Sequence, residues 1–351
     1  MKKLIFTKNF IDALKKHRAK QQVCVITDQH VEGIYGKRLQ EALEAPVFSF
    51  PAGEPFKNRE TKYMLENHLI KHDLGADSLI IGFGGGVVCD LAGYLAGTYC
   101  RGVSLVFCPS TLLAMVDACI GGKNGVNVEQ AKNLMGTYYQ PKQIIVDLGL
   151  LQTLPKEELS NGFSEMIKHA LIADPAYFDF LFEHAQSLQD MVPVLLQKAV
   201  FKSIEIKHDV VASDEREAGR RRLLNYGHTV AHAIEAASNY NVCHGKAVAL
   251  GILAEAKISL EMGLLSLQNF ERIISLIEAF SIDLTLRDPP SVKKLIEIMR
   301  FDKKALKRVP RFVVLRDIGC PLEFNGSFCA SVEEDYLVDA LHWMNDALCC
   351  A

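Results

Sequence analysis

Through the first 150 residues, short β-branched or apolar runs alternate with stretches of helical spacing. VCVITD at 23–28, APVFSFP at 45–51, SLIIGF at 78–83, SLVFCP at 104–109 and IIVDL at 144–148 read as strands. A polar helix follows the first of them, ETKYMLENHLIKHDL at 60–74 carries another, and a further helix begins at about residue 87. Strands alternating with helices in this way predict an α/β layer with a largely parallel sheet. After Thr153-Leu154-Pro155 the pattern changes to long helical periodicity, in KEELSNGFSEMIKHALI, VPVLLQKAVFKSIEIKHDVV and GKAVALGILAEAKISLEMGLL. In that half only RFVVLRDIG at 311–319 looks like a strand, with PLEF as a candidate hairpin partner. The expectation is an α/β N-terminal domain with a mostly parallel sheet over residues 1–152, followed by a mostly α-helical C-terminal domain over 153–351.

Composition narrows the class. At 49% hydrophobic and 23% charged residues the chain has ample core material and is too apolar to be disordered. Leu4-Ile5-Phe6 is too short an apolar run for a signal peptide, and no stretch elsewhere is long enough to span a bilayer. The ten cysteines are scattered without a CxxC pair, which fits reduced thiols and a cytoplasmic location. A net charge of −3 argues against a nucleic-acid partner, and nothing points to a membrane one. The cations gather instead: Lys123, Lys132, Lys168, Lys207 and the run Arg220-Arg221-Arg222 lie in or beside Gly-rich and His-rich segments, suiting a small anionic substrate.

Three segments are candidates for chemistry. Gly84-Gly85-Gly86 stands between a buried strand and a helix, where backbone amides and the helix dipole can hold phosphate. The dinucleotide fingerprint fails at its third glycine, where Val87 stands, so a plain tight turn is the competing reading. PSTLLAMVDACIGGKNGVN at 109–127 is one helix-length segment running into Gly121-Gly122-Lys123. Asp117 within it is either a structural ion pair or a contact to a substrate hydroxyl, because a buried carboxylate needs a partner. Lys123, on a glycine-flanked loop, either approaches an anion or is a solvated surface lysine. In LLNYGHTVAHAIE, His228 and His232 share one helix face. With His244 at the start of the next helix and Glu165 in GFSEMIKHA they offer the histidine and carboxylate donors of a catalytic zinc site. Thr229 occupies the glutamate position of the metalloprotease HExxH, which removes the general base of peptide hydrolysis.

Taken in order, these segments resemble the dehydroquinate synthase family from about residue 23 to 319. The resemblance is carried by GEPFK at 53–57, GGGVVCDLAGYLAGTYCRG at 84–102, the 109–127 segment, Lys132-Asn133, GFSEMIKH at 162–169, KHDVVASDEREAGRRRLLNYGHTVAHAIE at 207–235, HGKAV at 244–248 and DKK at 302–304. It implies a Rossmann-like NAD-binding domain followed by a metal- and substrate-binding one. The implied metal ligands, for zinc or cobalt, are Glu165, His228 and His244, leaving His232 as a substrate residue one turn along. Implied NAD-binding positions are Asp28, Glu54, Lys57, Gly85, Gly86, Asp90, Ser110, Thr111, Lys123, Lys132 and Thr153. Implied substrate positions are Asp117, Lys123, Asn133, Lys168, Lys207, Arg221, Asn225, His232 and one lysine of the pair Lys303-Lys304, taken as Lys303. Arg101 holds the position from which, in relatives, an arginine of the neighbouring subunit reaches the substrate phosphate, so a homodimer is implied.

The implied reaction cyclises 3-deoxy-D-arabino-heptulosonate 7-phosphate to 3-dehydroquinate in the shikimate pathway. NAD oxidises one alcohol, phosphate is eliminated, the hydride returns, and the ring opens and closes as an intramolecular aldol. Competing readings are another sugar-phosphate cyclase, a glycerol-phosphate dehydrogenase, and a non-catalytic NAD- or metal-binding sensor; Asn225 together with His232 favours the first assignment. The chain departs from the family pattern at Lys246, where glutamate usually follows His-Gly, at Cys89 in place of glycine, and at Ala118-Cys119 in place of a serine pair. Lys246 beside His244 is the departure with most bearing on metal affinity.

Overall fold

A computed structural model describes residues 4–18, 21–128, 131–301, 308–324 and 326–349. The chain divides into two compact units, Met1–Glu158 and Leu159–Ala351.

The first unit contains strands β1 (Leu4–Phe6), β2 (Val23–Asp28), β3 (Val47–Phe50), β4 (Leu79–Gly84), β5 (Ser104–Pro109), β6 (Lys123–Val128), β7 (Ala131–Tyr138) and β8 (Gln143–Val146). Helices α1 (Phe10–Arg18), α2 (Gln29–Leu43), α3 (Arg59–Lys71) and α4 (Gly86–Thr98) connect them. Six strands form one parallel sheet in the order β1-β8-β5-β4-β2-β3. β4 is buried along its whole length and β2 up to Thr27. That explains why both read as continuous apolar runs rather than as an alternation. The chain passes from β2 to the edge strand β3, then crosses back to lay β4 on the other side of β2. Strand order thus reverses between β2 and β4, and open α/β sheets bind ligands in the crevice at such a point.

Two features of this unit differ from the sequence reading. The 109–127 segment is not one helix: a short helical turn reaches Ala118, and Gly121 and Gly122, both at positive φ, then redirect the chain into β6. Lys123, expected on a loop, begins β6 and pairs with Tyr138 in the antiparallel hairpin β6–β7. β1 is too short for a periodic signal and is held by its parallel pairing with β8.

The second unit is built on α5 (Lys156–Ala173), α6 (Pro175–Glu183), α7 (Ala185–Gln189), α8 (Pro193–Ser213), α9 (His228–Ala237), α10 (His244–Glu261), α11 (Leu267–Ala279), α12 (Val292–Phe301) and α13 (Glu334–Met344). α5 and α10 are buried on nearly every face, so they form the centre and the others wrap them. The expected strand at 311–319 shrinks to β9 (Leu315–Asp317), paired antiparallel with β10 (Cys320–Pro321) across a turn at Gly319, whose φ is +74°. Of the proposed partner PLEF, only its proline lies in β10.

Candidate metal centre and active site

Glu165, His228 and His244 come from three helices of the second unit and converge. Glu165 lies within α5 and is fully buried, while His228 opens α9 and His244 opens α10. Both imidazoles turn Nε2 toward Oε1 of Glu165, from 3.3 Å for His228 and 3.2 Å for His244. One donor atom of each residue lies within 4.8 Å of the others. The opposite ring nitrogens face other acceptors: Nδ1 of His228 meets the Tyr226 carbonyl at 3.0 Å, and Nδ1 of His244 meets Oε1 of Glu235 at 3.3 Å. Two imidazole nitrogens and a carboxylate oxygen directed at one point fit a divalent ion such as zinc, with coordination positions left for substrate.

Backbone packing sets this geometry. His228 follows Gly227, which sits in the left-handed region at φ +77°, and a methyl group added to Gly251 of α10 would strike the Gly227 carbonyl oxygen. α9 and α10 therefore touch backbone to backbone beside the ligand. The N–H of Gly245 donates to Oδ1 of Asn161 at 2.8 Å, and Asn161 stands one turn before Glu165 on α5. Each ligand is thus fixed within a residue or a turn of an interhelical tie.

Electrostatics keep Glu165 ionised. Burial alone would raise its carboxyl, but the Lys168 ammonium, ion-paired with it on the same helix, together with His228 and His244, holds it well below the usual carboxylate range. Burial works to lower His244, yet hydrogen bonds to Glu165 and Glu235 push its pKa up to about 10. Without metal, His244 is therefore protonated at neutral pH, and an incoming ion must displace the Nε2 proton.

His232 lies one turn further along α9, its ring 5.7 Å from that of His228, and the donor group holding His228 does not include it. Lys168 and Lys207 are buried, as is Arg221 on the turn Arg220–Asn225. Asp214 organises that turn by accepting from the backbone N–H groups of Ala218, Gly219 and Arg221 at 2.9, 2.7 and 3.0 Å. Burial would raise the Asp214 carboxyl; the three N–H groups and Arg221 lower it instead. Asn225 donates to Glu217 at 2.7 Å. Lys303 lies outside the described residues.

In the first unit, Asp28 ends β2 and caps α2, accepting from Val31 N–H at 2.9 Å, while Gly84 ends β4 and Gly86 opens α4. Both flank the point where strand order reverses. Ser110 follows β5, its N–H bonded to the Gly84 carbonyl at 2.9 Å, and Thr111 packs on Gly85. Lys57 is buried, ion-paired with Asp90 and bonded to Asn133 at 2.6 Å. Asn127 ties this group together by donating to Glu54 at 2.8 Å and accepting from Asn133 N–H at 2.9 Å. Lys132 is half-buried, Asp117 lies within the short helical segment after β5, and Thr153 bonds the Tyr35 hydroxyl at 2.9 Å. Arg101 is exposed on a turn where Cys100, Arg101 and Gly102 all have positive φ, a costly conformation for the two non-glycine residues.

Asn127, Asn161, Asp214 and Glu235 escaped the sequence reading. Asn127, Asn161 and Glu235 act through hydrogen bonds to another element, which leave no local signal, whereas Asp214 acts within its own loop, on N–H groups four to seven residues ahead. The departures from the family pattern also find partners. Lys246 bonds Asp283 at 2.7 Å, whereas the Nδ1 partner of His244 is Glu235. Cys89 and Cys119 are buried with their sulfurs 3.4 Å apart, so two of the replacements pack against each other.

A doubly wound sheet and a centre of two histidines and a carboxylate define a metal-binding α/β enzyme. Residues 47–161 match the family described as 3-dehydroquinate synthase N-terminal, and residues 162–305 match 3-dehydroquinate synthase C-terminal. The chain is 41% identical over 305 residues to the 3-dehydroquinate synthase of Desulforamulus reducens, covering 85% of each chain. It is 39% identical over 332 residues to that of Halorhodospira halophila, covering 93% of each. Its fold is similar to a crystal structure of 2-deoxy-scyllo-inosose synthase complexed with carbaglucose-6-phosphate, NAD+ and Co2+, with a TM-score of 0.89, 25% identity, and coverage of 96% of this chain and 95% of that one. The chain belongs to the 3-dehydroquinate synthase family.

Proposed function

We propose that the protein converts 3-deoxy-D-arabino-heptulosonate 7-phosphate to 3-dehydroquinate and inorganic phosphate, a step toward aromatic amino acids. The convergence of Glu165, His228 and His244, in a chain matched to this family over residues 47–305, supports the reading. When bound, NAD supplies reversible hydride acceptance and the divalent ion, zinc or cobalt, supplies Lewis acidity at the reacting alcohol and ketone.

The protein's own groups bind and orient. Glu165, His228 and His244 hold the ion. Lys168, Asp117, Lys207 and Asn225 direct the substrate hydroxyls, and Asn133 is a further substrate contact. Arg221 and Lys123 take the carboxylate, and His232 faces the phosphate; fixing two anionic ends admits one pose. Lys303 completes the substrate set. Asp28, Glu54, Lys57, Gly85, Gly86, Asp90, Ser110, Thr111, Lys123, Lys132 and Thr153 are assigned to the dinucleotide. Arg101 serves the neighbouring active site of a homodimer, a role supported by its exposure and its strained turn. Scattered free cysteines support a cytoplasmic location.

Phosphate release from purified protein tests the reading, with and without NAD and a chelator, offering the heptulosonate phosphate or glucose 6-phosphate. Release from the former that needs both NAD and metal, with no net NADH formed, is expected. Release indifferent to NAD and metal, or confined to glucose 6-phosphate, overturns it.

A further inference from the structure

We infer that Glu235 is a positioning residue for the metal centre, fixing the His244 imidazole so that Nε2 rather than Nδ1 is presented to the ion. The inference rests on the reading of Glu165, His228 and His244 as metal ligands.

Among the three ligands His244 is held least by packing. Its side chain is 32% exposed, against 13% for His228 and 0% for Glu165. It also stands at the first residue of α10, with no preceding helical turn of its own beneath it. Nothing in such a position selects between the two ring nitrogens unless a neighbour does. Glu235 supplies that selection: its Oε1 lies 3.3 Å from Nδ1, while Nε2 of the same ring lies 3.2 Å from Glu165. A carboxylate acceptor places the N–H on Nδ1 and leaves the Nε2 lone pair to the ion, and it makes that lone pair more basic.

Glu235 is seven residues after His228 on α9, almost two full helical turns, so both residues lie on one stripe of the helix. One helix therefore carries a ligand and also the group that orients a ligand on its neighbour. Glu235 is itself only 3% exposed, and a carboxylate so deeply buried is costly unless paired. His228 needs no such carboxylate, because the Tyr226 carbonyl two residues away already engages its Nδ1.

The test titrates metal-free protein with cobalt(II) against a competing chromophoric chelator, comparing the native chain, Glu235→Gln and Glu235→Ala. Each is also measured in a His244→Ala background at higher cobalt concentration. Far-UV circular dichroism confirms that each metal-free variant is folded; Glu235→Gln, which keeps the volume and one acceptor oxygen, carries the test if the alanine variant does not fold. Expected is a loss of cobalt affinity of about 10–100-fold for alanine. The glutamine variant should lose less and show an altered visible cobalt spectrum. Neither substitution should lower affinity further once His244 is gone. Native-like affinity and spectrum in Glu235→Gln and Glu235→Ala overturn the inference, and so does an equal loss in both backgrounds, which marks a purely structural role. If the native chain takes up no cobalt, the metal-centre reading itself fails, a distinct outcome.

Discussion

Replacing Lys168 by methionine tests what keeps the buried carboxylate of the metal centre charged. Lys168 is 1% exposed and Glu165 0%, and their ion pair spans three residues of α5. Methionine retains much of the apolar stem and removes the ammonium. Breaking a buried pair from one side costs about 3–5 kcal/mol, because the other charge remains. His228 and His244 still face Glu165, so a loss near the low end, about 3 kcal/mol, is expected for the metal-free protein. For a unit of this size the melting temperature should then fall by roughly 6–12 °C. Saturating metal should narrow the gap, since the ion brings positive charge to the same carboxylate. The pH dependence has a definite sign. Glu165 has a lowered folded pKa, so its contribution is present above the unfolded carboxylate pKa and is lost as pH falls through the folded one. Without Lys168 the folded pKa rises toward the unfolded one, so the acid-side loss is smaller and is complete at higher pH. Thermal unfolding of chelated and metal-loaded protein across the acid range measures both effects. Equal melting of the two metal-free proteins at neutral pH would refute the claim that Lys168 holds this charge.

Three further outcomes are expected. Purified His228→Ala should lose its metal, whereas His232→Ala should retain it and release phosphate slowly; metal analysis of both decides, loss from both would make the i, i+4 pair the ligands, and the reverse pattern would remove His228 from the set. Metal uptake should release the His244 proton, whose pKa is about 10, so apparent affinity should rise up to about tenfold per pH unit below that value. Calorimetry in two buffers of different ionisation enthalpy reads this proton directly, and identical heats would count against it. Mixing Arg101→Ala with Lys168→Ala protomers should restore part of the activity if Arg101 serves a neighbouring active site, and no recovery in demonstrably mixed dimers would reject that role.

The parallel sheet was legible because β2, β4 and β5 are buried and β-branched, and because helices separate the strands. The hairpin β6–β7 was not, since its residues KNGVNV and AKNLMGTY mix glycine and polar groups without a sustained apolar alternation, and the chain enters it through Gly121-Gly122 at positive φ. The metal donors showed in the sequence as residue types. Spacing favoured His232, which shares a helix face with His228, over His244, sixteen positions beyond His228 on another helix. Family likeness singled out His244, and the packing of α9 against α10 shows why distance along the chain misleads there. Glu235 left no trace because a glutamate at the end of an amphipathic helix reads as surface until its neighbour is known.

The backbone contact of Gly227 with Gly251 bears on how fast the centre fills. Main-chain atoms cannot swing aside as side chains do, so the ligand helices have their spacing before an ion arrives. Capture then requires the ion to shed its own water and to displace the His244 proton, and no folding event is added to the loading time. Protein made during metal scarcity would remain in a chargeable form and become active soon after supply resumes. Which divalent ion occupies the centre at a given moment would then depend as much on cellular supply and on the rate of departure as on any reshaping of the cage.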